Sequence, residues 1–224
     1  MRPFHPAYIL VAFSKILWPY ILVTLGVTLA TVILGSVFGF GLAALRIRKN
    51  KIGRAFATGY IYIIRCIPSI ILLFVVYYGL PFRDLPSAVY VIATMTIMFS
   101  ASMSEVFRSA YGSIPKGQTE AALTSGLSES QALLRIVLPQ AAVSAIPNFT
   151  NSLISLLKEG SLAYTIGLID IMGQGNLIIA RNNGSYSLEV YIALFAVYWI
   201  LIFTLEKLFQ LLEKKLSVSR SGNK

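Results

Sequence analysis

Charged residues fall in clusters along this chain, and long apolar stretches separate them. Positions 16–45 carry no charge over 30 residues, and the run stops at the basic cluster Arg46, Arg48, Lys49, Lys51 and Arg54. Roughly 20 apolar residues at about 1.5 Å rise each cross a bilayer core of about 30 Å, so this run predicts one long or tilted span. A second apolar segment covers 55–81, interrupted by Arg65 alone and closed by the turn Leu80-Pro81-Phe82-Arg83-Asp84-Leu85-Pro86. Positions 85–104 and 136–157 are again free of charge, and 190–205 lies between Glu189 and Glu206. The pattern predicts an all-α integral membrane protein with about five transmembrane helices, at 18–45, 55–80, 86–107, 140–160 and 189–211. Residues 1–17 lead into this membrane domain of 18–216, a polar loop at 108–139 interrupts it, and 217–224 form a tail. Segment 160–188 contains Gly160, Gly167, Gly173, Gly175 and Gly184 and is too broken for a clean span. Short or re-entrant pieces are expected there, covered by protein or water, of the kind that build an outer gate in transporters.

Composition sharpens this picture. Of 224 residues, 56% are hydrophobic and 12% charged, against about 25% charged in a soluble domain, and mean hydropathy is +0.73. A water-soluble globular domain is excluded as the default. A net charge of +10 would suggest nucleic-acid binding in a soluble protein, but its distribution says otherwise. Segments 46–54, 105–140 and 206–224 hold 13 of the 19 basic residues and, with five acidic ones, a balance of +8. Five spans put these three segments on one side, which the positive-inside rule makes cytoplasmic, so the N-terminus is expected outside and the C-terminus inside. The apolar run after Arg2 exceeds the 7–15-residue core of a secretory signal and is expected to be a retained span. One cysteine, Cys66, and one histidine, His5, cannot build an internal disulfide or a zinc, haem or iron–sulfur site, and no chemistry is assigned to either. There is no G-x-x-x-x-G-K-[ST] loop, so the chain does not bind ATP by that device.

The polar loop reads as helix, turn, helix. Glu120, Ala121, Ala122 and Leu123 are good helix formers, and Gly126 suits the left-handed residue that closes a helix. Ser128 with Gln131 has the form of a capping box, so a second helix is expected to start there, and Pro139 is expected to break or kink it. Any helical hairpin between spans would show alanine, glycine and proline. The spacing is more particular: Glu120-Ala121-Ala122, three residues, Gly126, nine residues, then Ile136-x-Leu138-Pro139.

That spacing resembles the EAA signature of importer-type ABC transporter permeases. The likeness covers roughly residues 18 to 216. Glu105-x-Phe107-Arg108 followed by Ile114-Pro115-x-Gly117-Gln118, Leu138-Pro139-Gln140-Ala141, and Leu156-Leu157-Lys158-Glu159-Gly160-Ser161-Leu162 are similar to the polar amino acid permease family (His/Glu/Gln/Arg/cystine-type). Two departures stand out. The family usually has Arg-Gly-Thr-Pro where this chain has Arg65-Cys66-Ile67-Pro68, and serine or threonine where Gly160 stands. The resemblance implies a permease subunit in a bacterial plasma (inner) membrane, moving a polar amino acid by alternating access. Overall likeness points toward cystine or a related sulfur amino acid, with another small solute as the alternative. It implies a coupling helix carrying Glu120, Ala121, Ala122 and Gly126, with Leu138 and Pro139 behind it, seated in a cleft of an ATP-binding subunit. The implied partners are an ATPase dimer using ATP and Mg, a second permease, identical or paralogous, and an extracytoplasmic solute-binding protein. No cofactor is expected on this chain, and nucleic acid is not an expected partner.

Charges inside the spans are the candidate substrate contacts. Arg65 lies about ten residues into the second expected span, roughly 15 Å deep on a straight helix, where an ionisable group is costly and by default functional. Lys158 and Glu159 end the fourth. A zwitterion needs a cation for its carboxylate and an anion or carbonyl for its ammonium, and these residues supply both signs. They would equally serve as a structural ion-pair network. Neighbouring helix positions project about 100° apart, so Lys158 and Glu159 do not both face one ligand. Asn148, Asn151 and Ser155 share a helical face and are expected to line the passage with Ser161, interhelical hydrogen bonding being the alternative. Gly35 and Gly39 form a small-xxx-small pair expected to pack helices closely. A passive channel or secondary transporter gives the loop no role, and a membrane-embedded enzyme would need a catalytic cluster where the carboxylates are scattered.

Overall fold

The computed structural model describes residues 4–47, 50–81 and 84–221, with side chains described to 216. Arg2, Arg48, Lys49, Phe82, Arg83 and residues 222–224 of the expected tail lie outside the described residues. Ten α-helices follow one another, with no strand among the described residues: α1 Pro6–Leu17, α2 Tyr20–Ile47, α3 Lys51–Cys66, α4 Ser69–Gly79, α5 Ser87–Gly112, α6 Lys116–Thr124, α7 Glu129–Ala132, α8 Leu138–Gly160, α9 Ile171–Arg181 and α10 Ser187–Ser221. A π turn, Leu133–Val137, joins α7 to α8, and a 3-10 helix, Ser161–Ile166, follows α8.

Four helical stretches are long and apolar enough to cross a membrane: Tyr20–Ile47, Ser87–Gly112, Glu129–Ile166 and Ser187–Leu216. The second expected span is not one straight helix. It is α3 and α4, bent by 104° at Ile67-Pro68. Proline has no amide to donate and disfavours helical geometry at the residue before it, so the break falls where an apolar count alone sees continuity. Arg65 occupies the last turn of α3, just before this bend, and the depth inferred from a straight helix does not apply. At Pro139, where a break or kink is expected, the helix does not end. The chain is helical from Glu129 to Ile166, and Pro139 sits immediately after the π turn. Wider i→i+5 pairing there gives the helix a place to absorb the missing amide and the bulk of the ring. Pro147 likewise lies inside α8 without ending it.

The chain divides into two compact units. The first comprises Met1–Ile33, Ile67–Ile97 and Ile154–Leu205. Its core joins α1, α9 and α10 through Ala12, Ile16, Ile171, Ile178, Val190, Ala193, Leu194 and Val197, so Pro6–Leu17 of the N-terminal segment is a packed helix. Segment 160–188 is short pieces, as expected. Gly167 at φ +85° ends the 3-10 helix, and the Asp170 carboxylate caps α9 by accepting from the Gly173 amide at 2.8 Å. Asp170 is itself buried, with the Thr24 hydroxyl 3.5 Å away.

The second unit comprises Leu34–Cys66, Met98–Leu153 and Glu206–Lys224. Here Gly35 and Gly39 pack α2 onto α5 as expected. A Cβ on Gly39 would stand 2.5 Å from Met103 Cβ and 2.9 Å from the Ser100 carbonyl oxygen, and one on Gly35 would stand 2.8 Å from the Phe99 ring. The glycines therefore permit an interhelical approach that no other residue allows, in a setting where close packing substitutes for hydrophobic collapse.

Candidate functional site

The loop expected to couple with a partner folds as a helix, a tight stop and a capped restart. Pro115 precedes α6, which runs from Lys116 to Thr124. Its end is a Schellman motif: the Gly126 amide donates to the Leu123 carbonyl at 3.0 Å and the Leu127 amide to the Ala122 carbonyl at 3.1 Å, with Gly126 at φ +86°. Ser128 and Gln131 then form the expected capping box, with bonds of 3.3 and 2.9 Å. On α6, Ala122 is buried against the following turns, whereas Glu120, Ala121 and Leu123 are exposed. Leu138 is half-buried at the start of α8 and Pro139 is exposed beside it. The side-chain amide of Gln140 donates to the Gln118 side-chain carbonyl at 3.2 Å, linking α8 back to α6. Both glutamines belong to the motifs quoted above, yet neither stood out, because 22 positions separate them.

A second missed group lies at the end of α2. Glu105 of α5 accepts from Arg46 at 2.6 Å and from Arg108 at 2.9 Å. The i, i+3 spacing of Glu105 and Arg108 was legible; the link to Arg46, 59 positions away, required the α2–α5 contact. Glu105 thus holds one arginine from α2 and one from its own helix.

Neither Arg65 nor Lys158 belongs to such a pair among the described residues, and no ion-pair network joins them to Glu159. Arg65 is exposed, as is Cys66 next to it. On α8, Asn148, Asn151 and Ser155 are all exposed on one face, with Ser144 and Lys158 continuing the register at either end. The other side of α8 buries Leu153, Leu156 and Leu157. Glu159 diverges from this stripe and accepts from the Ser69 hydroxyl at 2.9 Å, at the start of α4. Ser161 donates to the Lys158 carbonyl at 2.6 Å, so its hydroxyl is engaged locally. A Cβ on Gly160 would meet nothing within 4 Å, and the family's usual serine or threonine would fit there. A stripe of amides and hydroxyls ending in an ammonium is costly against lipid. It suits a water-filled passage or another polypeptide.

Comparison with known proteins fits this geometry. The family described as "Binding-protein-dependent transport system inner membrane component" matches residues 35–218. The L-cystine transport system permease protein TcyL of Bacillus subtilis (strain 168) is 39% identical over 218 residues, covering 93% of this chain and 90% of the relative. The probable amino-acid permease protein YxeN of the same organism is 36% identical over 209 residues, covering 89% and 92%. Among solved structures, a chain of an amino acid ABC transporter crystallised with histidines superposes with a TM-score of 0.85 at 25% identity, covering 96% of this chain and all of that one. The exposed helix closed by Gly126, set among membrane-spanning helices, is thus found in a chain that belongs to the family of inner-membrane components of binding-protein-dependent transport systems.

Proposed function

We propose that this chain is the permease of an ATP-driven importer for a polar amino acid, with cystine or a related sulfur amino acid as the first substrate to test. The observation that carries the reading is α6, a short helix with Ala122 packed inward and Glu120 and Ala121 outward, in a chain whose relatives are amino-acid permeases. Its stop at Gly126 fixes where the exposed face ends. An ATPase dimer, using ATP and Mg, grips the 115–138 loop of two such permeases, identical or paralogous. Closure of that dimer moves α6, and the bond between Gln118 and Gln140 passes the displacement to α8. An extracytoplasmic binding protein delivers the substrate on the opposite side.

The α8 stripe is the substrate path in this scheme. Lys158 offers a cation to the substrate carboxylate, with Asn148, Asn151 and Ser155 along the same face, and Arg65 supplies a second cation beside the α3–α4 bend. Glu159 and Ser161 shape the end of the path. Proteoliposomes containing the permease, its ATPase and its binding protein, challenged with a panel of amino acids, test the reading directly. ATP-dependent uptake of cystine that disappears without the ATPase is expected. Uptake by the permease alone would instead indicate a channel or secondary transporter.

A further inference from the structure

Two adjoining pockets in the second unit have complementary chemistry. One is an apolar cavity of about 590 Å³ whose walls come from α2, α5, the π turn and α8, with Phe40, Phe107 and Phe149 among small alanine side chains. The other is lined by Arg46, Arg54 and Arg108 beside Thr58. Ile47 and Tyr111 line both, so the two pockets are neighbours that share part of their walls. Glu105 fixes Arg46 and Arg108 in place and offsets one of their two charges, so this pair keeps a net positive charge.

An occupant that satisfies both must be apolar along most of its length and anionic at one end. We propose that this composite groove holds an anionic phospholipid, with an acyl chain in the apolar cavity and the phosphate on the arginines. Each methylene placed in the cavity leaves water or a less well packed environment. Basic pockets between membrane helices hold anionic head groups in this way. A free phosphate would use the arginines and leave the cavity empty. A helix of a second protein would fill the cavity and leave the arginines facing apolar surface. The lipid alone uses both halves, and it is supplied by the membrane in which this family resides.

The experiment uses the transporter complex purified from membranes and exchanged into nanodiscs of phosphatidylcholine with or without phosphatidylglycerol, with retained lipid counted by native mass spectrometry. Wild-type permease is expected to keep phosphatidylglycerol through delipidation that removes phosphatidylcholine. Arg54→Gln, at an exposed position, is expected to lower that retention about fivefold, the weight of one basic contact, and Arg54→Lys to restore most of it. Ala142→Phe, which fills the cavity from an exposed alanine, is expected to lower retention with the arginines intact. Equal retention of both lipids, or retention unchanged in both variants, would overturn the proposal. So would displacement of the lipid by excess inorganic phosphate, which indicates a free-anion site. Loss of permease pairing in Ala142→Phe with lipid retention unchanged would mark the groove as a protein interface. None of these readouts depends on which solute is transported.

Discussion

The side-chain amide of Gln140 bonds the side-chain carbonyl of Gln118 at 3.2 Å, and so connects the exposed helix α6 to the first turn of the span α8. A neutral hydrogen bond of this kind contributes about 1 kcal/mol, too little to hold the fold and enough to bias motion between two elements. Gln118→Leu and Gln140→Leu are each expected to reduce ATP-driven uptake several-fold with normal membrane yield. The double variant should be no worse than either single one, because both remove the same link. Additive losses would show that the two residues act separately.

Gly126 presents a conformational constraint without a steric one. Its φ is +86° and a Cβ would meet nothing within 4 Å, so substitution costs only the left-handed backbone, about 1 kcal/mol for alanine and more for a β-branched residue. Uptake is expected to fall in the order Gly, Asn, Ala, Val at matched membrane levels. Full activity of Gly126→Val would sink the assignment of this turn as the end of a coupling helix.

Within α2, two glycines separate packing from propensity. Gly39→Leu forces a side chain into Met103 and the Ser100 carbonyl and is expected to destabilise by about 2 kcal/mol through overpacking. Gly41→Ala, with nothing within 4 Å of the new Cβ, should be neutral or slightly stabilising. Thermal unfolding of the solubilised protein, followed by scattering or tryptophan fluorescence, distinguishes them.

Glu105 holds two arginines at once. Its removal in Glu105→Ala leaves Arg46, whose side chain is 14% exposed, without its carboxylate, and a loss of about 2 kcal/mol is expected from the charged hydrogen bonds. Glu105→Gln, which keeps an acceptor, should lose less. The same thermal assay reads both.

The exposed face of α8 is open to a chemical test because Cys66 is the single cysteine of the chain. In a Cys66→Ser background, cysteines at Asn148, Asn151 and Ser155 are expected to react with a membrane-impermeant thiol reagent, and saturating substrate should slow the reaction. A cysteine at Leu157, 1% exposed, is the unreactive control. Inert cysteines at all three stripe positions would place that face against lipid or protein instead of a passage.

Much of this protein was legible along the chain. Apolar runs located the long helices α2, α5, α8 and α10, because a span needs length and the absence of charge, both of which are local properties. The turn chemistry of Gly126 and the Ser128–Gln131 box was equally local, and the geometry matched at each residue. Motif spacing then pointed to the family to which the chain belongs.

Other features depended on what lies across from a residue. Nothing along the sequence distinguished Pro68, which splits a span by 104°, from Pro139, which a π turn accommodates. The difference lies in the backbone pairing, a π turn before Pro139 and none before Pro68. The Arg46–Glu105 and Gln118–Gln140 contacts join positions 59 and 22 apart, and side chains so distant meet only when helices pack. The sequence by itself determined that the chain is helical, lives in a membrane and carries a short loop helix stopped at Gly126, since these follow from composition, periodicity and short-range hydrogen bonding. Tertiary structure alone decided which charges pair, which face of α8 the rest of this chain leaves uncovered and which residues line an apolar cavity, because each of these is set by the approach of separate helices.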